Sequence, residues 1–166
     1  LGAHYMLNGE GTIIDIGGQD SKAIRIDKDG SVIRFAMNDK CAAGTGRFLE
    51  VMASKLEMTL EEFSELALKA KKHVPISSMC SVFAESEVIS LIASGKSKEE
   101  IAKGIHKAIA DRTVALARKI ESTEPYFMAG GVAKNGGLVR ELEATLGHEL
   151  KVIEYPQFSG ALGAAL

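Results

Sequence analysis

Two glycine-rich segments and two cysteines are the residues of this chain whose types and spacing could do chemistry. Residues 15–20 read Asp-Ile-Gly-Gly-Gln-Asp and residues 129–135 read Ala-Gly-Gly-Val-Ala-Lys-Asn, and each follows an apolar run. A Gly-Gly pair after a buried strand lets the backbone turn sharply and present N–H groups to a phosphate. The only two cysteines, Cys41 and Cys80, lie between these segments. This combination predicts nucleotide chemistry joined to metal or redox chemistry.

The first segment lies between two predicted strands. Gly17 and Gly18 could bring backbone N–H groups close to phosphate oxygens, and the carboxylates of Asp15 and Asp20 could hold Mg²⁺ directly or through water. Taken alone, the segment is equally compatible with an ordinary hairpin that turns on two glycines.

The second segment places Gly130 and Gly131 between a predicted strand and a predicted helix. Backbone amides at the start of a helix can meet a nucleotide there, and Asn135 is predicted to cap that helix. Simple packing of a strand-to-helix loop is the alternative for this segment alone. The two loops together, in this order, favour nucleotide binding.

Both cysteines are predicted to lie at helix N-termini. The helix dipole favours a thiolate there, and free N–H groups can donate to cluster sulfurs. A closed zinc or iron–sulfur site needs about four ligands, so Cys41 and Cys80 of one chain are too few, whereas a homodimer would supply two from each subunit. The alternative is a pair of buried, inert thiols. The histidines are scattered singly and are predicted to be surface or packing residues: His4, His73, His106 and His148.

The surrounding elements follow from hydrophobic spacing and capping signals. Residues 12–16, 23–26 and 31–37 are predicted strands joined as an antiparallel meander, with Asp29-Gly30 as a hairpin turn. Thr59 with Glu62 is a predicted capping box, and Ser97 with Glu100 has the same spacing. Apolar periodicity predicts one helix that begins at residue 46, a second that ends at residue 70, three more over residues 82–95, 101–120 and 138–146, and one that begins at residue 160. Strands are predicted at residues 126–129 and 152–155.

Bulk composition narrows the function classes. The chain has 166 residues, of which 46% are hydrophobic, enough to bury the core of one domain or one lobe. Its net charge of −2 and the absence of a basic tract argue against a nucleic-acid partner. No apolar run has membrane-spanning length and no signal peptide is visible, so we expect no membrane partner and a cytoplasmic location. Two cysteines do not make a disulfide framework, which also suits a reducing cytoplasm.

Five segments carry a family resemblance: residues 13–20, 38–50, 77–87, 130–135 and 160–165. They resemble the activators of 2-hydroxyacyl-CoA dehydratases, within the wider ATPase family that includes the ATP-binding subunits of benzoyl-CoA reductase. The resemblance implies an α/β fold of the actin, Hsp70 and sugar-kinase superfamily, in which ribonuclease H-like lobes clamp ATP and Mg²⁺.

The resemblance also assigns residues. Cys41 and Cys80 become ligands of one [4Fe-4S] cluster shared by the two subunits of a homodimer. Residues 15–20 become the second phosphate loop and residues 130–135 the adenosine loop, with Asp15 and Gln19 as candidate catalytic residues. The implied nucleotide-binding residues are Asp15, Gly17, Gly18, Gln19, Asp20, Gly130, Gly131, Val132, Ala133 and Asn135.

The implied activity is ATP-driven electron transfer. The protein would take an electron from a donor such as ferredoxin or flavodoxin and pass it at low potential to an acyl-CoA dehydratase or reductase. The family's first phosphate loop, of the Asp-x-Gly-Ser/Thr type, has no counterpart before Asp15, so we expect the C-terminal lobe of a longer chain. Residues 1–166 would then be one ATPase lobe with a cluster-binding helical insertion at about 38–120, and hydrolysis by this lobe alone is less expected than nucleotide and cluster binding.

Two other functions fit parts of the sequence. A sugar or carboxylate kinase of the same superfamily would use the loops and leave the cysteines incidental. A regulatory module that dimerises around zinc held by four cysteines would leave the loops unexplained.

Overall fold

The computed structural model describes residues 1–7, 9–77 and 80–166, except for the side chains of residues 81 and 82. Its strands are β1 (Gly11–Ile16), β2 (Ser21–Ile26), β3 (Val32–Asn38), β4 (Tyr126–Ala129) and β5 (Leu150–Val152). Its helices are α1 (Gly2–Leu7), α2 (Gly46–Lys55), α3 (Leu60–Lys69), α4 (Ser81–Ala93), α5 (Lys98–Lys119), α6 (Gly136–Leu146) and α7 (Ser159–Ala165). Two short 3₁₀ helices, Gly131–Lys134 and Pro156–Phe158, precede α6 and α7.

The strands form one five-stranded sheet in the order β3-β2-β1-β4-β5. Strands β1, β2 and β3 pair antiparallel, whereas β4 is parallel to β1 and β5 is parallel to β4. This confirms the predicted meander, including the turn at Gly30, whose φ of 79° is a conformation that glycine adopts without strain. An antiparallel meander extended by two parallel strands agrees with the ribonuclease H-like lobe that the family resemblance implies.

The two faces of the sheet bury different clusters, because alternate side chains of a strand point to opposite faces. Ile14 and Ile16 of β1 pack into the main core with α2, α3, α5 and α6. Ile13 packs into a smaller cluster on the α1 side. Helix α5 lies centrally, as predicted, with Ile101 and Ile105 fully buried.

Local signals explain how the helices over the main core begin and end. The predicted capping box of α3 is present, with Thr59 and Glu62 each bonded to the other's backbone N–H. Ser97 accepts from the Glu100 N–H at the start of α5. Two lysines of α5 reach back to the carbonyl groups that end α2 and α3: Lys98 to Leu56 at 2.9 Å and Lys103 to Ala70 at 2.9 Å. Cations at helix C-termini are favourable, so these contacts hold α2 and α3 against α5.

Two elements differ from the sequence prediction. The last strand is Leu150–Val152 and not residues 152–155. Gly147 ends α6 with a left-handed φ of 77°, and the chain turns back at once, so pairing with β4 begins at Leu150. Helix α1 was not predicted, because six residues without a capping signal give little local pattern. Among the described helices, none combines the length and the apolar character that crossing a bilayer requires.

Candidate functional site

The two glycine loops lie side by side at the carboxyl ends of two neighbouring parallel strands. Asp15 of β1 is paired with Ala129 of β4, so the chain leaves both strands at the same edge. Gly130 has a φ of 84°, and a Cβ atom there would lie 2.2 Å from the carbonyl oxygen of Ile16 and 2.7 Å from a carboxylate oxygen of Asp15. Only glycine allows the second loop to come this close to the first.

The first loop is the turn of the β1–β2 hairpin, as predicted. The Gly17 N–H donates to the carbonyl of Asp20 at 2.9 Å, which closes the turn. Gly18 and Gln19 at its tip are exposed, and the Asp20 carboxylate pairs with Lys22 at 2.7 Å. The loop therefore presents its glycine backbone at the surface beside the β4 loop.

The N-terminus of α2 is hydrogen bonded to this loop. The N–H of Gly46 donates to the carbonyl of Gly17 at 2.8 Å, and the N–H of Arg47 donates to that of Gly18 at 2.8 Å. A Cβ atom at Gly46 would lie 3.0 Å from Val132 in the second loop. The first N–H groups of a helix lack partners within the helix, and here the loop supplies them. Helix α2 is thus in contact with both loops.

A cavity of about 490 Å³ opens between the loops and helices α2 and α3. Its wall combines apolar side chains, carboxylates and polar groups: Gly18, Gly46, Leu49, Glu50, Leu60, Glu61, Ser64, Glu65, Gly131, Val132, Lys134 and Asn135. Apolar side chains suit a flat base, and carboxylates can accept from hydroxyl or amino groups but repel phosphate. The cavity has the chemistry to take a nucleoside, with the phosphates pointing out along the glycine loops.

Asn135 begins α6 at the floor of this cavity. Its Oδ1 accepts from the N–H of Leu138 at 2.9 Å, which confirms the predicted cap. The same Oδ1 lies 3.1 Å from Nε2 of His106, a fully buried residue of α5. Burial lowers the pKa of His106, while its hydrogen bonds to Ala102 and Asn135 act in the opposite direction. The sequence prediction of a packing histidine agrees with this position.

Asp15 does not line the same cavity as Asn135. It lies on the other side of the loops, on a cavity of about 290 Å³ bordered by Ala129 and by Ser159 and Gly160 of α7. Burial raises the pKa of Asp15, Lys22 opposes that change and Asp20 adds to it. Of the other predicted residues, Gly18, Gly131 and Val132 line the first cavity, and Ala133 is buried.

The cysteines occupy two different settings. Cys80 is exposed and precedes the first residue of α4, as predicted, although residues 78 and 79 of its motif lie outside the described part of the chain. The prediction that Cys41 lies at a helix N-terminus is wrong, because α2 begins at Gly46. Gly44, with a φ of 98°, forms a turn between them. Within the described residues, no three His, Cys, Asp or Glu side chains are grouped to hold a metal ion.

Helix α4 presents large apolar side chains to solvent. Phe83 is 67% exposed and Ile89 is 54% exposed, and both belong to α4, the helix that follows Cys80. Lys55 of α2 pairs with Glu85 of α4 at 2.5 Å and joins the two helices that follow the cysteines. Large apolar side chains exposed on one helix make that helix a candidate for a protein–protein contact.

Sequence reasoning missed the α3 side of the first cavity and His106 behind it. The capping box predicted α3, but no local pattern states which residues of a helix will lie over a loop elsewhere in the chain. Ser64 of α3, for example, accepts from the N–H of Gly137, which is 73 residues away, at 2.9 Å.

Comparison with known proteins adds relatives that cover almost the whole chain. An activator of lactoyl-CoA dehydratase from Anaerotignum propionicum is 53% identical over 99% of this chain and 64% of its own length. A (R)-2-hydroxyglutaryl-CoA dehydratase activating ATPase from Acidaminococcus fermentans is 49% identical over 100% of this chain and 64% of its own length. This chain therefore spans a little under two thirds of these relatives.

A solved structure of another dehydratase activator is also similar to this chain. The activator of the 2-hydroxyisocaproyl-CoA dehydratase from Clostridium difficile, with bound ADPNP, superimposes with a TM-score of 0.93 at 45% identity, covering 99% of this chain and 61% of that one. The model of the BadF/BadG/BcrA/BcrD ATPase family matches residues 1–166, and this chain belongs to that family.

Proposed function

We propose that this chain is a nucleotide-binding lobe of an ATP-dependent electron-transfer activator. The observation that carries the proposal is the pair of hydrogen bonds from Gly46 and Arg47 to the carbonyl groups of the first glycine loop. They join a phosphate-loop candidate directly to the helix that follows Cys41. A change in the loop on nucleotide binding would move that helix.

ATP would lie across the two loops. Its nucleoside would occupy the 490 Å³ cavity, and its phosphates would run over Gly17, Gly18 and Gly130 toward Asp15. Asp15 and Asp20 would hold Mg²⁺ at that end, because hard cations prefer carboxylate oxygens. The solved relative with bound ADPNP supports a nucleotide in this family.

Cys41 and Cys80 fit a shared [4Fe-4S] cluster in two respects: thiolates are its usual ligands, and neither side chain is fully buried. Neither cysteine forms a disulfide bond, Cys80 is exposed, and Cys41 is half-buried. One chain offers two of the four thiolates such a cluster needs, so a second copy must supply the others. Helix α4, with its exposed Phe83 and Ile89, is the element on which that copy would pack. When bound, the cluster would supply a one-electron carrier.

Nucleotide binding would then act as a population shift. ATP must bind the electron-donating arrangement of α2 and α4 more tightly than the resting one, because equal affinity shifts nothing. The electron would come from a donor such as ferredoxin or flavodoxin and pass to an acyl-CoA dehydratase or reductase. The names of the relatives, which activate acyl-CoA dehydratases, support a dehydratase as the partner. Residues 1–166 would act as one lobe, with the helices at about 38–120 as the part that holds the cluster.

Iron and acid-labile sulfide, measured after anaerobic reconstitution, test the proposal. We expect about four irons per dimer in the wild-type chain and none in a Cys41→Ser/Cys80→Ser variant that still binds ADP. No iron in a confirmed dimer would reject the electron-transfer function. If phosphoryl transfer to a small acceptor then persisted in Cys41→Ser, the protein would be a kinase-like ATPase.

A further inference from the structure

His106 lies directly behind the floor of the nucleoside cavity, although it belongs to the apolar side of α5. Its ring is fully buried and contacts Phe63, with ring centroids 4.8 Å apart. A buried imidazole is costly unless it is hydrogen bonded. Its two nitrogens lie 2.8 Å from the carbonyl of Ala102 and 3.1 Å from Oδ1 of Asn135.

The orientation of the Asn135 amide determines what His106 must do. The N–H of Leu138 needs an oxygen, so the atom that faces both Leu138 and His106 is Oδ1. Nε2 of His106 can hydrogen bond to that oxygen only as a donor. The Ala102 carbonyl, 2.8 Å from Nδ1, is an acceptor as well, so a neutral ring, with its one N–H group, serves one of the two oxygens and only a doubly protonated ring serves both.

The amide of Asn135 is otherwise weakly held. Its Nδ2 is buried and makes no hydrogen bond to any part of the chain that the structure describes. Both of its fixed contacts, to Leu138 and to His106, are made through Oδ1. Loss of the His106 donor would leave only the cap to Leu138 and would let the side chain rotate toward the cavity.

Two buried hydrogen bonds join the wall of the cavity to neighbouring helices. Asn135 is joined to α5 through His106, and the N–H of Gly137 is joined to α3 through Ser64. Asn135 and Ser64 both line the cavity. His106 itself does not reach the cavity and can act only through Asn135.

We propose that His106 is a positioning residue for the nucleoside end of the nucleotide site. It donates from Nε2 to Asn135 Oδ1 and so fixes the start of α6 in the arrangement that receives the nucleoside. This inference rests on the proposed nucleotide site. It adds to that site a residue that touches no ligand.

Two substitutions separate positioning from packing. His106→Leu fills the space but cannot donate, whereas His106→Gln places an amide donor near the original Nε2. We expect His106→Leu to weaken ADP binding by about five- to tenfold in isothermal titration, the effect of one buried hydrogen bond, and His106→Gln to recover most of it. The matched control is Thr113→Val, a volume-conserving change of another buried polar residue of α5, which should leave ADP affinity unchanged.

A second measurement uses the wild-type chain and therefore does not require any variant to fold. The ¹⁵N shifts of the His106 ring in the wild-type chain report which nitrogen carries hydrogen, and we expect Nε2 to carry it. A ring protonated on Nδ1 alone, or ADP affinities that are equal in wild type and His106→Leu, would overturn the inference. Equal losses in both His106 variants would also overturn it. If the wild-type chain bound no ADP, the proposed function would fail, while the ring shifts would still decide the contact with Asn135.

Discussion

The backbone N–H of Gly46 donates to the carbonyl of Gly17 at 2.8 Å, so the first residue of α2 and the first glycine loop are in direct contact. Cys41 lies five residues before Gly46. The start of α2 therefore joins the first glycine loop to the segment that carries the thiol. The contact leaves no space for a side chain, and this makes it testable.

Gly46→Ala should weaken nucleotide binding without unfolding the protein. The added Cβ would lie 3.0 Å from Val132 and 3.1 Å from the carbonyl oxygen of Gly17, so the loops must move apart. Alanine is also the better helix former, by up to about 1 kcal/mol. We expect ADP affinity to fall about fivefold while the melting temperature is unchanged or higher.

Gly136→Ala is the matched control, because Gly136 is the first residue of α6 as Gly46 is of α2. Its added Cβ would meet Leu68 at 3.8 Å, an ordinary contact. Titration with ADP should give the wild-type affinity. A loss equal to that of Gly46→Ala would show that the effect is not specific to the loop contact.

Gly130→Ala and Gly131→Ala should differ sharply in stability although the residues are adjacent. Gly130 has a φ of 84°, and its Cβ would clash with the Ile16 carbonyl at 2.2 Å, whereas nothing lies within 4 Å of a Cβ at Gly131. We expect Gly130→Ala to lower the free energy of unfolding in urea by more than about 2 kcal/mol. Gly131→Ala should lie close to wild type, and similar losses in both would contradict the geometry.

The sequence predicted those elements whose signals are local. The Asp29-Gly30 turn, the Thr59–Glu62 capping box and the strand at residues 126–129 all appear where the pattern placed them. The placement of α3 over the loops and the contact of His106 with Asn135 depend on residues far apart in the chain, so no local pattern contains them. The error at β5 has a similar origin, because the register with β4 decides where that strand begins.

Asp15→Asn should stabilise the chain in a pH-dependent way. Burial raises the pKa of Asp15 above its usual 3.8, so the native state binds that proton more tightly than the unfolded state does. The contribution of this group to stability is then present at low pH and is lost as pH rises through the native pKa. We expect the asparagine variant to have a higher melting temperature than wild type at about pH 7, and a smaller difference at about pH 4.5.

The same variant tests the metal role of Asp15. If Asp15 helps to hold Mg²⁺, the asparagine variant should lose the increase in ADP affinity that Mg²⁺ gives to wild type. Titrations of the two proteins with ADP, with and without Mg²⁺, measure this.

For the pH prediction, the contradicting outcome is a gain in melting temperature that is equal at the two pH values. Removal of the Asp15 charge would then not be the cause of the gain.

Ile89→Glu should prevent association of two copies without harming the fold. Ile89 is 54% exposed on α4, so a glutamate there costs little in a monomer but would be buried in the proposed dimer. Sedimentation at increasing concentration should show wild-type association after cluster reconstitution and a monomer for the variant. Val152→Glu, at a residue 45% exposed on β5, is the control and should associate as wild type does.

Asn135→Ala should destabilise the chain more than Asn135→Asp does. Alanine removes the cap that Leu138 uses and the acceptor that faces His106, and loss of a cap costs about 1 kcal/mol. Aspartate keeps an oxygen at both contacts and removes Nδ2, which has no partner among the described residues. It also places a negative charge at a helix N-terminus, where it is favourable. In urea, the free energy of unfolding should therefore be lower than wild type for the alanine variant and equal to or higher than wild type for the aspartate variant. If aspartate were as damaging as alanine, the amide nitrogen itself would have to be needed, which would point to a partner for Nδ2 that forms only when the cavity is filled.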